Sequence, residues 1–516
     1  MPFDNENTFI KASEKGEENR FHQEYEKALE EVKSYFGREY PNIVGKEVVE
    51  KEKQADISPI DGKEIAKFQV ASEETINSAI NMLHSGYRSW YALGYLARAR
   101  TILNAADIMS RDKYRFAALL AYEHGKTRME AMGDVDEAID FLRYYSMNLI
   151  ENQGFEHFTG KAYKNEESRS IMKPYGVFAV IAPFNFFSIT VGMVAGPLVV
   201  GNSVLLKPSS DIPLSSYLYV KLLLGSGVPK DVIAFVSGSG SRIGKLTYDN
   251  PRISGIVFTG SRNVGMSIYH NATKNTPKVV VTEMGGKDTI IVSSKADLPK
   301  AVEGVAKAAF GYAGQKCSAC SVVIVHDQIY DKFRDMLVEY VSRIRPDDPR
   351  KKETFLTPIV NEEAFRKYRD LLARLPAEGK ILSAGKAQER EGYYVEPVII
   401  SDVKWDSFVI QEEHFLPILA VARYSELREA VERINTLDYG LTGGIFTEDE
   451  AEIEYYFNNI EAGVIYANRR RGGTTGAMVG SQPFVGWKMS GSTGKGTGSF
   501  YYLQQFLREQ SVTVAH

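Results

Sequence analysis

The fold is decided by residues 176–207, which read GVFAVIAPFNFFSITVGMVAGPLVVGNSVLLK and carry no charged side chain until the final lysine. An uncharged run of this length invites a transmembrane interpretation, because about 20 apolar residues cross a bilayer. The run is interrupted by Pro183, Asn185, Pro197 and Asn202, so the longest clean apolar piece is too short to span a membrane. We therefore predict a buried strand, a turn, a helix and a second buried strand.

The same alternation of strands and helices continues towards residue 282. We predict strands over residues 176–182, 203–206, 232–236, 253–258 and 278–282, with helices over residues 189–200, 213–224, 241–248 and 263–272. Strands that alternate with helices of this length form a parallel sheet that is covered on both faces. The pattern therefore predicts a doubly wound, Rossmann-like sheet that binds ligands at the carboxyl ends of its strands.

A second alternation of strands and helices runs from Thr289 to Tyr466 and predicts a further α/β domain. Between residues 155 and 172, polar and apolar side chains alternate weakly, which is typical of a two-stranded arm suited to self-association. We expect an α/β protein with a dinucleotide-binding domain (residues 1–150 and 174–285), a catalytic domain (286–488) and a small β oligomerisation arm (151–173 and 489–516).

The charge balance and the cysteine content bound the class of protein. The 516 residues include 62 Lys or Arg and 66 Asp or Glu, a net charge of −4, which provides neither a basic footprint for nucleic acid nor a polyanionic tail. Two cysteines cannot build a disulfide framework and suit a reducing cytoplasm. Met1 to Arg20 is polar and lacks the apolar core of a secretory signal. We expect a cytoplasmic protein with no nucleic-acid or membrane partner.

Both cysteines lie in residues 311–321, which read GYAGQKCSACS, between a predicted helix and a predicted strand. A thiol on a glycine-rich connector is held in place yet open to a reactant, so we interpret Cys317 as a nucleophile and Cys320 as a buried structural thiol. The C-x-x-C spacing leaves a redox dithiol open, whereas a zinc site would need two further ligands. The eight histidines show no paired spacing, and we expect no metal.

Three polar residues follow predicted strands of the first sheet, and each has two interpretations. Glu283 ends the last strand beside two glycines, as a general base or as a capping, ion-pairing carboxylate. Asn185 lies in an apolar turn, as a turn former or as an amide donor to an oxyanion. Lys207 follows the second strand, as a ribose or phosphate ligand or as a solvated lysine.

Two glycine-containing turns join predicted strands to predicted helices. Residues 238–244 resemble a dinucleotide fingerprint, but the spacing G-x-G-x-x-x-G is one residue too long, and a tight turn is the better interpretation. Residues 258–265, FTGSRNVG, put small side chains at a helix start, where backbone N–H groups can bind an anion.

Several short motifs occur together, in one order, over almost the whole chain. They are APFNF (182–186), KPS (207–209), FTGS (258–261), EMGGK (283–287), GQKC (314–317), EEHF (412–415) and PFVG (483–486). Jointly they resemble the aldehyde dehydrogenase superfamily. The resemblance implies an α/β enzyme that oxidises an aldehyde to a carboxylate with NAD(P)⁺.

The resemblance implies catalytic roles for three residues. Cys317 would attack the aldehyde as a thiolate, although a free thiol has a pKa of about 8.5 and needs activation. The Asn185 amide and the Cys317 backbone N–H would hold the oxyanion of the thiohemiacetal. Glu283 would activate the water that hydrolyses the thioester.

The resemblance also implies a cofactor site. Its expected residues are Lys207, Ser209, Ser210, Gly260, Ser261, Gly285, Glu413 and Phe415. Lys207 resembles the adenosine-ribose ligand, and Glu413 and Phe415 resemble the contacts of the nicotinamide ribose and ring. Ser210 stands where many NAD-preferring members have Glu, which leaves room for a 2′-phosphate. We therefore expect NAD as the cofactor, with NADP possible.

Within the superfamily, the chain is most similar to the 1-pyrroline-5-carboxylate (L-glutamate γ-semialdehyde) dehydrogenases. The similarity rests on the long N-terminal region, on the Ser that follows Cys317 and on residues 475–480, TGAMVG. The substrate contacts that it implies are Ser318, Gly476 and Ala477 for the α-carboxylate, with Glu137 and Phe484 in the pocket. The Arg469–Arg471 insert is interpreted either as a solvated loop or as a further anion contact.

Four functions follow from these residues. The preferred one is oxidation of L-glutamate γ-semialdehyde to L-glutamate in proline breakdown, and the alternative is another acidic or small aldehyde, such as succinic semialdehyde. A catalytically silent nucleotide-binding relative is disfavoured by the joint presence of Cys317, Glu283 and Asn185. A dithiol oxidoreductase would use Cys320 together with Cys317. The arm indicates a homo-oligomer.

Overall fold

A computed structural model describes residues 3–471 and 478–516 of the chain. In chain order, its strands are β1 (Arg38–Tyr40), β2 (Asn42–Val44), β3 (Lys46–Val48), β4 (Lys53–Ile57), β5 (Glu64–Gln69), β6 (Glu156–Phe158), β7 (Glu166–Pro174), β8 (Val177–Ile181), β9 (Ser203–Lys207), β10 (Ile233–Phe235), β11 (Ile253–Gly260), β12 (Val279–Met284), β13 (Asp288–Val292), β14 (Cys320–His326), β15 (Lys380–Ser383), β16 (Val398–Ser401), β17 (Ile418–Tyr424), β18 (Tyr439–Gly440), β19 (Thr442–Phe446), β20 (Val464–Ala467), β21 (Trp487–Lys488) and β22 (Leu507–Ala515).

The helices surround these strands. In chain order they are α1 (Thr8–Glu14), α2 (Glu18–Glu31), α3 (Glu73–Ala92), α4 (Tyr95–Arg111), α5 (Lys113–Glu123), α6 (Arg128–Glu151), α7 (Phe187–Val199), α8 (Pro213–Ser226), α9 (Gly240–Tyr248), α10 (Arg262–Thr273), α11 (Leu298–Phe310), α12 (Tyr330–Val341), α13 (Glu362–Arg374), α14 (Phe408–Gln411), α15 (Leu427–Asn435) and α16 (Glu450–Asn459). Short 3-10 turns cover Val32–Tyr35, Gly311–Gly314 and Tyr502–Phe506.

The first large sheet has the strand order β12-β11-β8-β9-β10-β2-β3. Its strands from β12 to β10 run parallel, and the β2–β3 hairpin continues the sheet antiparallel to β10. In β8, Phe178 and Val180 enter one hydrophobic cluster, whereas Val177 and Ala179 enter another. Both faces of the strand are therefore buried, which is why it carries no charge. The predicted doubly wound sheet is confirmed.

The second large sheet has the order β15-β16-β17-β14-β13-β19-β20 and is parallel except for β15. Ile291 and Ile324 pack on one face, and Ile290 and Val323 pack on the other. The connection from β13 through α11 to β14 contains both cysteines. The cysteine loop thus lies at the start of strand β14, between α11 and β14, which are the helix and the strand that the sequence predicts.

A third, antiparallel sheet has the order β22-β7-β6. Strands β22 and β7 pair over nine residues, from Leu507 opposite Pro174 to Ala515 opposite Glu166. Most side chains of β22 are exposed. This sheet corresponds to the small β arm that the sequence predicts.

Residues 490–506 differ from the expectation that they belong to this arm. The backbone N–H of Met284 donates to the Ser490 carbonyl at 2.8 Å, so this segment lies along the edge strand of the first sheet. Tyr502 and Phe506 then bury their rings in the hydrophobic core beside α7. The glycine- and serine-rich composition concealed this packing, because it provides no periodic apolar pattern to read.

The N-terminal region is helical and packs on the first domain. Helix α2 and the 3-10 turn that follows it form an amphipathic segment, and Phe21, Tyr25 and Leu29 bury its apolar face. No helix in the described part of the chain is both long and apolar enough to cross a membrane.

Candidate active site

A cleft of about 790 Å³ opens at the carboxyl ends of β8, β9, β11 and β12 and reaches the cysteine loop. Among the residues that line it are Asn185, Lys207, Ser209, Gly260, Ser261, Gly285, Cys317, Glu413 and Phe415. The parallel strands explain this gathering, because their carboxyl ends meet at one edge of a sheet. Nearly all the residues predicted for the nucleophile, the oxyanion donor and the cofactor therefore surround one space.

The loop that carries Cys317 is held in a single conformation by long-range hydrogen bonds. The Tyr312 hydroxyl donates to the backbone carbonyl of His124 at 2.7 Å, and the Val360 N–H donates to the side-chain oxygen of Gln315 at 2.8 Å. Gly314 has a φ of +72°, and a Cβ atom there would lie 2.6 Å from the Leu416 carbonyl oxygen. The positive φ and the close Leu416 carbonyl both require glycine, so a larger residue at position 314 would shift the turn that carries the thiol.

The environment of Cys317 disfavours its thiolate. Burial raises the pKa of the thiol well above its ordinary value, and the nearby carboxylates of Asp288, Glu413 and Glu283 raise it further. The backbone N–H of Cys317 itself acts in the opposite direction. The resting group is therefore a protonated thiol.

Asn185 lies within hydrogen-bonding distance of the same loop. It is buried, and its side-chain amide donates to the Gln315 carbonyl at 3.1 Å. An amide nitrogen carries two hydrogens, so a second N–H can serve an oxygen that forms beside Cys317.

Glu283 lies near the end of β12, opposite Thr259 of β11. Burial raises the pKa of its carboxyl group to about 8, and its buried Oε2 atom has no hydrogen-bond partner among the described residues. A carboxylate that titrates near neutral pH and has an open acceptor oxygen is suited to remove a proton from water.

Glu413 closes the opposite side of the cleft. The Gly286 N–H donates to its Oε1 atom at 3.0 Å, and burial raises its pKa to about 7. A Cβ atom on Gly285 would overlap the Glu413 carboxylate. The edge of the Phe415 ring packs against Phe184, with 5.7 Å between the ring centroids. The Gly286 N–H thus binds this carboxylate, and the lack of a side chain at Gly285 leaves it the space that it occupies beside the cleft.

The far end of the cleft presents a buried amine and a helix start. Lys207 ends β9, and burial lowers the pKa of its amine to about 8. Ser209 donates to the Asp211 carboxylate at 3.3 Å, whereas Ser210 is exposed and is not one of the described residues that line the cleft. Ser261 directly precedes α10, whose first N–H groups are bare donors for an anion. An amine, hydroxyls and helix-end N–H groups fit the riboses and the pyrophosphate of a dinucleotide.

A second cavity, of about 360 Å³, lies on the other side of the loop. It is lined by Phe186, next to Asn185, and by Lys316, next to Cys317. The first cavity is thus lined by Asn185 and Cys317, and the second by the residue next to each of them. Charged side chains that also line this second cavity are Lys126, Glu130, Asp134, Asp136, Glu137, Asp140 and Arg471.

Glu137 is a neutral acid in this cavity. Burial, followed by the charge of Asp134, raises its pKa to about 8. The Ser188 hydroxyl donates to its Oε2 atom at 2.9 Å, and its Oε1 atom has no partner among the described residues. Glu137 can therefore accept or donate one further hydrogen bond, as its predicted place in a substrate pocket requires.

The other predicted substrate residues are distributed around the loop. Phe484 forms a small apolar cluster with Leu441 and Val464, and Cys317 packs against it. Ser318 is buried beside the thiol. Gly476 and Ala477 lie outside the described residues.

The arginine insert is divided between two environments. Arg469 donates to the Gln482 side chain at 2.6 Å, and Arg470 forms an ion pair with Glu303 at the surface. Arg471 lines the second cavity. Arg469 and Arg470 thus have protein partners, and the anion contact stays a prediction that concerns Arg471.

Cys320 is separated from this chemistry by the fold. It starts β14, is buried in the core, and its thiol points to the Val322 carbonyl at 3.5 Å. Both cysteines are free thiols. The geometry supports the structural interpretation of Cys320 over a working dithiol.

Two groups beside the nucleophile were missed by the sequence analysis. Lys287 and Asp288 are buried directly after the glycine pair, and the Thr442 N–H donates to Asp288 at 2.6 Å. The signal was available, since two adjacent charges at the start of an apolar strand are unusual in a sheet that is buried on both faces.

Known proteins are similar to this chain in sequence and in fold over nearly its whole length. The model of the aldehyde dehydrogenase family matches residues 48–512. The chain is 36% identical over 496 residues to a 1-pyrroline-5-carboxylate dehydrogenase of Geobacillus kaustophilus (strain HTA426), covering 95% of each chain. It is 36% identical over 485 residues to 1-pyrroline-5-carboxylate dehydrogenase 2 of Bacillus subtilis (strain 168), covering 92% of this chain and 93% of that protein. A crystal structure of 1-pyrroline-5-carboxylate dehydrogenase from Thermus with bound NAD has a TM-score of 0.94 and 34% identity, over 100% of this chain and 99% of that chain.

Proposed function

The chain belongs to the aldehyde dehydrogenase family, and we propose that it oxidises L-glutamate γ-semialdehyde, formed from 1-pyrroline-5-carboxylate, to L-glutamate in proline breakdown. The observation that carries the proposal is a cleft lined by Cys317 and Asn185 together with a second cavity lined by their sequence neighbours Lys316 and Phe186. One cavity suits a dinucleotide, and the other is lined by charges of both signs that suit an amino acid.

The first step is attack of the Cys317 sulfur on the aldehyde carbon. A C–S bond forms, the carbonyl π electrons move to oxygen, and the thiol proton passes to a base. The oxyanion accepts hydrogen bonds from the Asn185 amide and the Cys317 N–H, which stabilise it where its charge develops. NAD⁺, when bound, supplies the hydride acceptor that turns the thiohemiacetal into a thioester.

The second step is hydrolysis of the thioester. Glu283 takes a proton from water, the hydroxide oxygen attacks the acyl carbon, and the C–S bond breaks to return the thiol. Because burial raises the pKa of Glu283 to about 8, the base form is a minor one at neutral pH and grows as the pH rises.

The cofactor assignment rests on donor chemistry in the cleft. Buried Lys207 and half-buried Glu413 are suited to ribose hydroxyls, and Gly260 and Ser261 lie beside the start of α10, where a pyrophosphate fits. Ser210 is uncharged and exposed, so a 2′-phosphate would meet no carboxylate from that position, which keeps NADP as the alternative cofactor. We propose NAD as the preferred cofactor.

The substrate assignment is tested by a panel of aldehydes. NAD(P)H formation is followed with 1-pyrroline-5-carboxylate, succinic semialdehyde and propanal, each with NAD⁺ and with NADP⁺. We expect the highest kcat/KM with 1-pyrroline-5-carboxylate and NAD⁺, since its amino-acid end matches the charged cavity. A clear preference for succinic semialdehyde would overturn the assignment and leave only the general aldehyde dehydrogenase activity.

We also propose a homo-oligomer that assembles through the β22-β7-β6 sheet. Large apolar side chains on this sheet, Phe158 and Val514, are 68% and 45% exposed, and assembly through the sheet would remove them from water. Light scattering coupled to size exclusion tests this proposal, and a monomer at micromolar concentration would contradict it.

A working thiol at Cys317 suits a reducing compartment, and we propose the cytoplasm, which cell fractionation tests.

A further inference from the structure

The outer wall of the second cavity is built by the N-terminal segment, defined here as residues 3–10. Asn5, Asn7, Phe9 and Ile10 line the cavity together with Glu137, Phe186 and Lys316. This segment lies outside residues 48–512, which the family model matches. A molecule that enters the cavity towards Cys317 is therefore enclosed partly by side chains of the N-terminal segment.

Hydrogen bonds tie the N-terminal segment to helix α6. The Asn5 side chain donates to Asp140 Oδ2 at 2.9 Å, and the Glu6 N–H donates to Asp140 Oδ1 at 3.0 Å. The Thr8 N–H and hydroxyl both donate to Asp136, at 2.6 and 2.7 Å. Asp136 directly precedes Glu137 and Asp140 follows it by three positions, so the part of α6 that carries Glu137 also holds the N-terminal segment.

An ion pair secures the segment from its other side. The Glu6 carboxylate pairs with Lys113 at 2.9 Å and also with Arg143. The Phe3 ring packs edge-on against Tyr144, with 5.3 Å between the centroids. The segment is therefore anchored by charge and by packing as well as by the Asp136 and Asp140 contacts.

Asn5 also reaches a third element. Its side-chain amide donates to the backbone carbonyl of Val479 at 3.0 Å, in addition to its bond to Asp140. Met478 and Val479 line the same cavity. The two hydrogens of one amide thus join α6, which carries Glu137, to the segment that lines the cavity through Met478 and Val479.

We propose that Asn5 is a positioning residue that sets substrate specificity by fixing the wall of this cavity. The inference rests on the proposed function, because it concerns the end of the substrate that carries the amino-acid group. A short neutral aldehyde needs only the Cys317 end of the cavity. An amino-acid aldehyde fills it as far as the wall, so its binding depends on where Asn5 holds Val479 relative to α6.

The test compares two substrates in Asn5→Ala and Asn5→Asp. Alanine removes the amide, and aspartate keeps the size but lacks the N–H donor. For 1-pyrroline-5-carboxylate we expect KM to rise about tenfold, equivalent to about 1.4 kcal/mol, with kcat within twofold of the wild type. For propanal, and for NAD⁺, we expect kinetic constants within twofold of the wild type.

Ser13→Ala is the matched control. Ser13 lies on α1, and its hydroxyl donates to the Glu18 side chain at 2.6 Å at the surface, away from the cavity. We expect wild-type kinetics with both substrates from this variant, and the propanal activity of each protein reports that its active site is folded.

The outcomes separate the two claims. A wild type that oxidises 1-pyrroline-5-carboxylate well, with Asn5 variants that leave its KM unchanged or that lose both substrates equally, would overturn the role of Asn5 alone. A wild type that does not oxidise 1-pyrroline-5-carboxylate would overturn the proposed function and the role of Asn5 with it.

Discussion

At the residue scale, burial keeps the two reacting acids of the site protonated. The pKa of Glu283 is raised to about 8 by burial, and that of Cys317 is raised well above its ordinary value by burial and by Asp288. A protonated thiol is a poor nucleophile and is also slow to oxidise.

The pH dependence of thioester hydrolysis follows from Glu283. Its base form is the carboxylate, so the hydrolysis rate should fall about tenfold per pH unit below 8 and level off above it. Rapid-quench measurement of thioester decay after a single turnover, between pH 6 and 9, checks the profile. A rate that is flat across this range would exclude Glu283 as the base.

Glu283→Gln tests the same residue at one pH. Glutamine keeps the shape but cannot take a proton, and we expect the thioester hydrolysis rate to fall by about 10² or more. The initial burst of NADH, equal to the enzyme concentration, should remain in stopped-flow traces. Loss of the burst would show that the substitution damages acylation instead.

The two cysteines should differ sharply in their response to substitution. Cys317→Ala should abolish aldehyde oxidation, whereas Cys320→Ser should retain it, because Cys320 is buried in the core. The buried hydroxyl should lower the free energy of unfolding by about 1–3 kcal/mol. NADH formation and urea unfolding measure the two effects, and wild-type activity in Cys317→Ala is the contrary result.

Much of the residue-scale site could be predicted from the sequence. Asn185 and Cys317 each stand beside a strand or helix end within a short motif, and both line one cleft. Glu283 ends a neighbouring strand and lies close enough for its charge to raise the pKa of Cys317, although it does not line the cleft itself. The bond between Glu413 and the Gly286 N–H joins residues 127 positions apart. No local pattern indicates that partner, which only the folded chain supplies.

At the scale of elements, the turn after β12 shapes the cofactor cleft through its glycines. Gly285→Ala would push a methyl group into the Glu413 carboxylate. We expect the KM for NAD⁺ to rise about tenfold or more, while the KM for the aldehyde changes little, because Glu413 faces the cleft. Initial-rate kinetics with each ligand varied in turn measure the split.

Gly494→Ala provides the control for this substitution. A Cβ atom on Gly494 would meet no atom within 4 Å, and its φ is not in the left-handed region. Its kinetics should match the wild type. An equal rise in the KM for NAD⁺ in both variants would contradict the specific role of Gly285.

The elements that could be predicted are those with a strong local pattern. Strand β8, helix α7 and strand β9 follow from the apolar run and its prolines, because a buried strand between breakers has few alternatives. Residues 490–506 could not be assigned from their composition, since backbone hydrogen bonds to β12 hold them there. Backbone pairing of this kind leaves little trace in side-chain patterns.

At the scale of the whole molecule, the active site depends on contacts between distant parts of the chain. Buried Lys126 pairs with Asp134 at 2.7 Å, and the same aspartate accepts the N–H groups of Phe187 and Ser188 at the start of α7. Helix α7 follows directly on Asn185. The buried pair thus ties α6 to the turn that carries the oxyanion donor.

Asp134→Ala should be strongly destabilising because it leaves the Lys126 amine buried and unpaired. We expect the free energy of unfolding to fall by about 3–5 kcal/mol in urea titrations. Glu432→Ala is the control, since Glu432 pairs with Arg428 on the surface, where water and salt screen the pair and its removal should change the free energy of unfolding little. If both variants lost the same free energy of unfolding, the buried pair would not be the main stabilising contact that we infer.

The architecture of two sheets and an arm could be predicted from the alternation of elements, but the course of the N-terminal segment could not. Residues 3–10 contact α6 and Val479, which lie more than a hundred residues away. Their own sequence is polar and short, and its function becomes visible only where it closes a cavity.

The central claim is that Cys317 forms a covalent thioester with the aldehyde. The most direct measurement is peptide mass spectrometry of Glu283→Gln, quenched in acid after one turnover with NAD⁺ and 1-pyrroline-5-carboxylate. We predict that the peptide containing Cys317 gains the mass of glutamate semialdehyde less two hydrogens, and that the adduct is absent when NAD⁺ is omitted. An adduct on Cys320, or oxidised product formed with no acylated Cys317 at any time, would contradict the account.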